Sequence, residues 1–552
     1  MRIQEQQRHI YTAVSVVMLL AVLTYLLHGS ALSGGWRVDD PWILLFVCEH
    51  PGALGYFFSP DIWQSLGVPF FTPWLALDFR LDAALSTLNP RVFYLHHLMV
   101  IWLAAVLTFL LLRRFVGELW SAFAAALFLL GAPVVVLAQQ LMSRHYASGL
   151  VFAILAIICW LHRREQHGRY FLALAVFCYL MAILNKEIYA PLPLILFFWG
   201  RATLKERLRN MAPFALALLV FVVWRAVMVG SAVGGYGGRF NDFGDILQTL
   251  KTLPQIFFGQ WWFVPVVLLF LLLIAWCRLP NQALVVIASV CAVLMPFLAI
   301  QASANISDFR FGFLPWWSLC ILLVVASAKP ACACPRFLPY WLWRVVCLLP
   351  LAAFSMLSLL NGFKVARDYN NIAAVYDVQG RFLLSYDERT AYVPGGELLA
   401  VLSFQYGMTG LKKNILGKGT PYAVPTLESA ALLAGDRPLY VYDPVGQRMN
   451  WVEHKTDSGY RPDLPMNVLM DRRQGGFEWL IQESPKGSCF LLFSGLNVAF
   501  LVPCVGKVHF EFPPFIQGEV RTLVTTGENS WNVSPVLIFP EKGKVLKWSS
   551  NP

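Results

Sequence analysis

Charge is what this 552-residue sequence has least of. Asp, Glu, Lys and Arg make up 14% of it, against about 25% in a soluble globular chain. Hydrophobic residues reach 58%, which excludes an ordinary water-soluble protein and points to a membrane protein. The fourfold ligand spacing of a structural zinc site is missing as well: Cys332 and Cys334 stand as a pair in a short basic loop. The last third has no phosphate-binding glycine loop and no nucleophile elbow. No internal repeat is evident. No removable signal peptide is expected, because the first apolar run, Ile10 to Leu32, is long enough to stay as a helix and lacks a convincing small-residue cleavage site. The net charge of +11 would suit nucleic acid, but the basic residues stand at the ends of apolar runs instead of on one face, so no nucleic-acid partner is expected.

The shortage of charge is uneven, and that unevenness divides the chain. Residues 1–363 are dominated by apolar runs, while charged, Gly and Pro residues return at ordinary density over 364–552. A helix needs about 20 apolar residues to cross the hydrocarbon core. Eleven runs approach this, near 10–31, 94–112, 119–138, 145–161, 170–184, 188–200, 212–231, 255–276, 282–301, 311–328 and 338–360. Arg2 and Arg8 precede the first, which puts the N-terminus in the cytoplasm. Basic residues then follow every second span: Arg113 and Arg114, Arg163 and Arg164, Arg201 to Arg209, Arg278, and Lys329 with Arg336. This unbroken alternation supports eleven spans and sets the C-terminal domain on the opposite side from the N-terminus.

The outer connections hold ionisable residues that topology does not require. The first, about residues 32–93, carries Asp39, Asp40, Glu49, Asp61, Asp78 and Asp82, and two amphipathic stretches, Pro41–Glu49 and Trp74–Leu88, suited to the interface. Later ones hold Arg144 with His145, Lys186 with Glu187, the Gly-rich segment GGYGGRFNDFGD, and Asp308 with Arg310. Arg225 lies inside an apolar run, where an Arg is expensive. Carboxylates act as general bases or hold a divalent cation, and Arg or Lys at headgroup level suits a phosphate. The pattern fits a transferase whose leaving group is a lipid phosphate.

With these motifs the sequence resembles the GT-C glycosyltransferases, multi-spanning enzymes that take sugars from polyprenyl-phosphate carriers. Within them it is most similar to the branch of protein O-mannosyltransferases, TMTC-type proteins and lipid A aminoarabinose transferases. The matching segments run over about residues 10–330: the acidic pair in WRVDDPWIL, the stretch TPWLALDFRLDAALSTLNPRVFYLHHLMV before the second helix, the Lys-Glu of LNKEIYAPLPLILF, the Arg of WRAVMVGSAVGGYGG, and Arg310 in DFRFGFLPWW. The sequence departs from the pattern in having Asp-Asp for Asp-Glu, and Thr72-Pro73 for Arg-Pro, which leaves donor and acceptor open.

The resemblance implies an inverting transfer in which Asp39 or Asp40 takes the proton from the acceptor hydroxyl. It also implies that Lys186, Arg310, Arg225 and Arg144 bind the donor phosphate, with Glu187 and His145 as accessory groups. Each residue has a plainer reading: the Asp pair as a helix start before Pro41, Lys186-Glu187 as a structural ion pair, His145 as a polar interfacial anchor, and the Trp pairs 261–262 and 316–317 as belt residues. No cofactor is required, although Asp39 and Asp40 would be the ligands of any divalent cation. The expected partners are a polyprenyl-phosphate-linked sugar, a glycan, lipid or protein acceptor, and the bilayer. The expected place is a bacterial cytoplasmic membrane with the C-terminal domain in the periplasm. A flippase of lipid-linked sugars and a non-catalytic envelope scaffold are the alternatives. The C-terminal domain reads as a soluble mixed α/β or β-rich fold, from runs such as RPLYVYDP, SCFLLFSGLNVAFLV, VHFEF and SPVLIF, with a helix near Gly396–Gln405. Its two cysteines, Cys489 and Cys504, would pair in an oxidising compartment.

Overall fold

The computed structural model describes residues 2–65, 70–86, 88–166, 168–199, 203–232, 243–260, 289, 292–298, 305–328, 339–395, 398–424, 427, 430, 433–454, 466–473, 476–482, 489–493, 498–508, 519–527, 530–538, 540–541 and 543–549. They divide into two compact units, one from Met1–Gly34 and Pro69–Asn370, the other from Gly35–Val68 and Asn371–Pro552.

The first unit is helical. Among the described residues five helices are long and apolar enough to cross a membrane: Ile10–Ser33, Pro90–Val116, Leu141–Arg163, Leu204–Val229 and Ile306–Val325. A sixth span arises if Glu118–Leu130 and Ala132–Ala138, bent by 61° at Gly131, are counted as one. The bend falls where Gly131 takes extended backbone just ahead of Pro133, whose missing N–H interrupts the helical ladder. The Trp316 ring packs so closely on Gly131 that a Cβ there would overlap it, and its Nε1 donates to the Phe128 carbonyl at 3.0 Å. Two shorter apolar helices, Tyr170–Asn185 and Glu187–Phe198, match the expected fifth and sixth runs. Most of the expected spans 255–276 and 282–301 lie outside the described residues, as do Cys332, Cys334, Trp261 and Trp262.

Burial separates the centre of this unit from its rim. The Leu141–Arg163 helix is 78% buried over its most apolar window, whereas Ile10–Ser33 is 11% buried and presents Tyr11, Leu19 and Leu26 outward. An apolar surface of that extent is stable against lipid and costly against water. One expectation is corrected here. Trp316 and Trp317 are not belt residues, because both are buried and Trp317 Nε1 donates to Thr108 Oγ1 at 2.9 Å. An indole that finds an internal partner for its N–H has no need of the interface.

The expected boundary at 363/364 falls inside one continuous helix, Tyr340–Ser385. Residues 340–370 of this helix belong to the first unit and 371–385 to the second.

Among the described residues the second unit carries two sheets. In the larger, the strand order is β11-β10-β7-β8-β2-β1-β3-β4, with β12 pairing β10. Its strands are β1 (Ala391–Val393), β2 (Tyr422–Ala423), β3 (Leu439–Asp443), β4 (Arg448–Val452), β7 (Cys489–Phe493), β8 (Val498–Val502), β10 (Glu519–Gly527), β11 (Ser530–Val533) and β12 (Leu537–Ile538). Strands β1, β2, β3 and β8 meet in parallel and the remaining pairs are antiparallel. The smaller sheet is β13-β5-β6-β9, from Val545–Ser549, Asn467–Arg473, Gly476–Gln482 and Val505–Val508. Cys489 and Cys504 are disulfide-bonded. The helix expected near 396–405 runs over Leu398–Gly410. It lies against the helix Asp40–Glu49, and at Gly407 the contact is so close that a Cβ would overlap the backbone of Pro41 and Trp42.

Candidate active site

The acidic pair stands at the start of the Asp40–Glu49 helix. Asp39 is its N-cap, Asp40 opens its first turn, and Pro41 follows at a position where a missing N–H costs nothing. A carboxylate there is favoured by the helix dipole. Asp40 is fully buried, and its Oδ2 accepts from the backbone N–H of Arg37 at 3.2 Å, while its own N–H donates to the Arg37 carbonyl at 2.8 Å. Between them Val38 adopts φ +48°, left-handed backbone that a β-branched residue rarely takes. Such a residue costs of order 1–3 kcal/mol, and outliers of this kind cluster at functional sites.

A second group of residues holds that turn. Arg37 is 3% exposed, and its guanidinium forks onto the Asp377 carboxylate, with Nη2 to Oδ2 at 2.9 Å and Nε to Oδ1 at 3.2 Å. The backbone N–H of Gly35 donates to the same Oδ1 at 2.8 Å. Asp377 lies 340 residues from Arg37 in the chain, and no sequence pattern pairs them.

The first unit gathers the cations. Lys186 sits at the end of Arg169–Asn185, in extended backbone, where the helix gives way to the turn Glu187–Tyr189. Gly149 makes room for that turn, since a Cβ there would overlap the Tyr189 ring, and the Tyr189 hydroxyl donates to the Tyr146 carbonyl. The Lys186 ammonium lies 5.0 Å from the centre of the Phe70 ring and 5.6 Å from that of Tyr146. Glu187 is shared, 3.7 Å from Lys186 Nζ and 3.8 Å from Arg225 Nη2. Burial pushes the Lys186 ammonium below the usual lysine range, Glu187 pulls it back, and the positive charges of Arg225 and Arg310 lower it further. Lys186, Arg225, Arg310 and Glu187 therefore form one electrostatic cluster.

Arg310 is set by hydrogen bonds. Its Nη1 donates to Gln140 Oε1 and to the Ser307 carbonyl, each at 2.8 Å. Gln140, fully buried, also accepts from Ser143 Oγ at 3.1 Å and donates to the Tyr369 hydroxyl at 2.8 Å. Sequence reasoning passed over Gln140. Its one signal is a pair of glutamines, Gln139 and Gln140, at the end of an otherwise apolar helix.

Arg144 takes a different position. It is fully buried, with Nη1 2.5 Å from Asp82 Oδ2 and Nη2 2.6 Å from the Phe93 carbonyl, and it lies over the Phe79 ring. The other oxygen of Asp82 meets His96 Nδ1 at 2.8 Å. Beside them the half-buried Asp78 carboxyl is raised above its usual range, chiefly by desolvation, against the pull of Arg144 and His96. His145 is buried against Tyr146.

Among the described residues no group of three or more His, Cys, Asp or Glu converges as a metal ion would require. Asp39 and Asp40 would be the protein ligands of any divalent cation, with water or a substrate phosphate completing its shell.

No family model and no curated protein matches the sequence. Among solved structures the chain is similar to ArnT from Cupriavidus metallidurans bound to undecaprenyl phosphate, with 14% identity over 78% of this chain and 93% of that one and a TM-score of 0.42. It is also similar to the oligosaccharyltransferase AglB from Archaeoglobus fulgidus in complex with an inhibitory peptide and a dolichol-phosphate, with 12% identity over 76% of this chain and 65% of that one and a TM-score of 0.44.

Proposed function

We propose that this chain is a membrane glycosyltransferase that moves a sugar from a polyprenyl-phosphate donor to a glycan, lipid or protein acceptor. It would act at the periplasmic face of a bacterial cytoplasmic membrane, crossing that membrane eleven times. The observation that carries the proposal is the setting of Lys186, Arg225 and Arg310 near the ends of apolar helices, with Glu187 shared between Lys186 and Arg225 and with Arg310 adding to the positive field on the Lys186 ammonium. A cluster of that sign, beside lipid, is suited to an anion at headgroup level.

In the proposed reaction the acceptor oxygen attacks the anomeric carbon as the bond from that carbon to the phosphate oxygen breaks. The acceptor proton passes to Asp39 or Asp40, and a single displacement inverts the anomeric centre. The phosphate leaves with one more negative charge, which preorganised cations stabilise without rearranging. Arg144 stands outside this set, because its guanidinium is committed to Asp82 and Phe93.

Purified protein incubated with a panel of polyprenyl-phosphate sugars tests the proposal through binding and slow hydrolysis. One donor should bind, and Lys186→Ala should weaken it. If well-folded protein ignores every donor, the transferase proposal fails, and the flippase and scaffold alternatives return.

A further inference from the structure

We infer that Asp377 is a positioning residue for the acidic pair, acting through Arg37 and Gly35 from a helix remote in sequence. This rests on the proposed role of Asp39 and Asp40. The geometry is a short relay. One carboxylate takes three donors, the Gly35 N–H and two guanidinium nitrogens of Arg37. Arg37 in turn exchanges two backbone–side-chain and backbone–backbone hydrogen bonds with Asp40. The chain between them passes through Val38 at φ +48°.

The physical need for the clamp follows from that turn. A left-handed Val is unstable alone and persists only where its surroundings over-determine it. Asp377 fixes the residues before it, Gly35 and Arg37, while the Pro41 helix start and Gly407 fix those after it. A bidentate Arg–carboxylate contact sets both distance and plane, so the carboxylates of Asp39 and Asp40 inherit a fixed direction. A proton acceptor has to meet the attacking hydroxyl within hydrogen-bond reach, and an error of about 1 Å costs about 100-fold in rate.

The test compares wild type with Asp377→Asn, Asp377→Glu and Arg37→Lys in the full chain. Asp387→Asn serves as control, since the Arg389–Asp387 pair is exposed in the same unit. Two readouts are taken: amide hydrogen exchange across residues 34–40, and transfer resolved into kcat and donor affinity. Asp377→Asn should raise exchange across 34–40 and lower kcat about 100-fold while donor affinity holds. Asp377→Glu should recover part of both, and the control should move neither. A merely structural role would lower kcat and donor affinity together as folded protein is lost. If Asp377→Asn leaves exchange unchanged, or raises it without lowering kcat, the positioning role is overturned. If exchange rises but wild type transfers no sugar from any donor, the clamp stands and the glycosyltransferase proposal falls.

Discussion

Removing the Asp82 carboxylate should cost the first unit more than any other single truncation at its polar centre. Arg144 and Asp82 have side-chain exposures of 0% and 2%, and their closest atoms are 2.5 Å apart. Charges that far from water are tolerated only in pairs, and breaking such a pair by deleting one partner costs about 3–5 kcal/mol because the other charge stays behind. Asp82→Ala also takes away one of the two partners of His96 Nδ1, the other being Arg144 Nη1. Taking about 4 kcal/mol, with each 1.4 kcal/mol a factor of ten, the ratio of folded to unfolded protein should fall roughly a thousandfold. The double substitution Asp82→Leu with Arg144→Met removes both charges at similar volume, and should recover most of the loss, since buried ion pairs exchanged for apolar residues are often neutral. Detergent-induced unfolding of purified protein, followed by tryptophan fluorescence, measures each variant. If Asp82→Ala unfolds as wild type does, or if the double variant is no better than the single one, the pair is not the buried charge lock inferred here.

Lys186 should titrate early: its ammonium is disfavoured by burial and by Arg225 and Arg310, and an anion binds the protonated form. Donor affinity should therefore decline as pH rises through a value below the ordinary lysine range, and Lys186→Arg, always charged, should abolish that decline when dissociation constants are followed across pH. The same shift means that the unfolded chain holds the proton where the folded chain has lost it, so stability without donor should rise with pH across that window. Gln140→Leu should loosen Arg310 and lower donor affinity, and should add little to Arg310→Leu in a double-mutant cycle, because coupled neighbours are not additive. Gly407→Ala forces a methyl into the backbone at Pro41 and Trp42 and should cost about 1–3 kcal/mol, read by thermal melting.

The parts legible in the sequence were those written in local patterns. Apolar length places helices at Pro90–Val116, Leu204–Val229 and Phe313–Ala328, and alternating apolar runs bounded by turn residues mark strands such as Leu439–Asp443 and Cys489–Phe493. Arg225 and Lys186 stood out because a cation among apolar residues is conspicuous. The links between distant segments carried no such mark. Asp377 reads as one more solvated Asp in a charged stretch, and only folding brings it to Arg37. Trp316 was misread because aromatic residues near a helix end suit both a membrane belt and a core, and the close approach of Gly131 decides between them. The helix continuing to Ser385 was missed because the charges after Lys364 suggest a soluble surface, and a helix propagates through polar residues as readily as apolar ones.

The most direct measurement is sugar transfer by purified, folded protein carrying Asp39→Asn or Asp40→Asn, with an identified donor and with Asp387→Asn as control. We expect at least one of the two substitutions to abolish transfer while donor binding and the unfolding transition stay as in wild type. Near-normal transfer in both would contradict the role assigned to the acidic pair and with it the proposed chemistry.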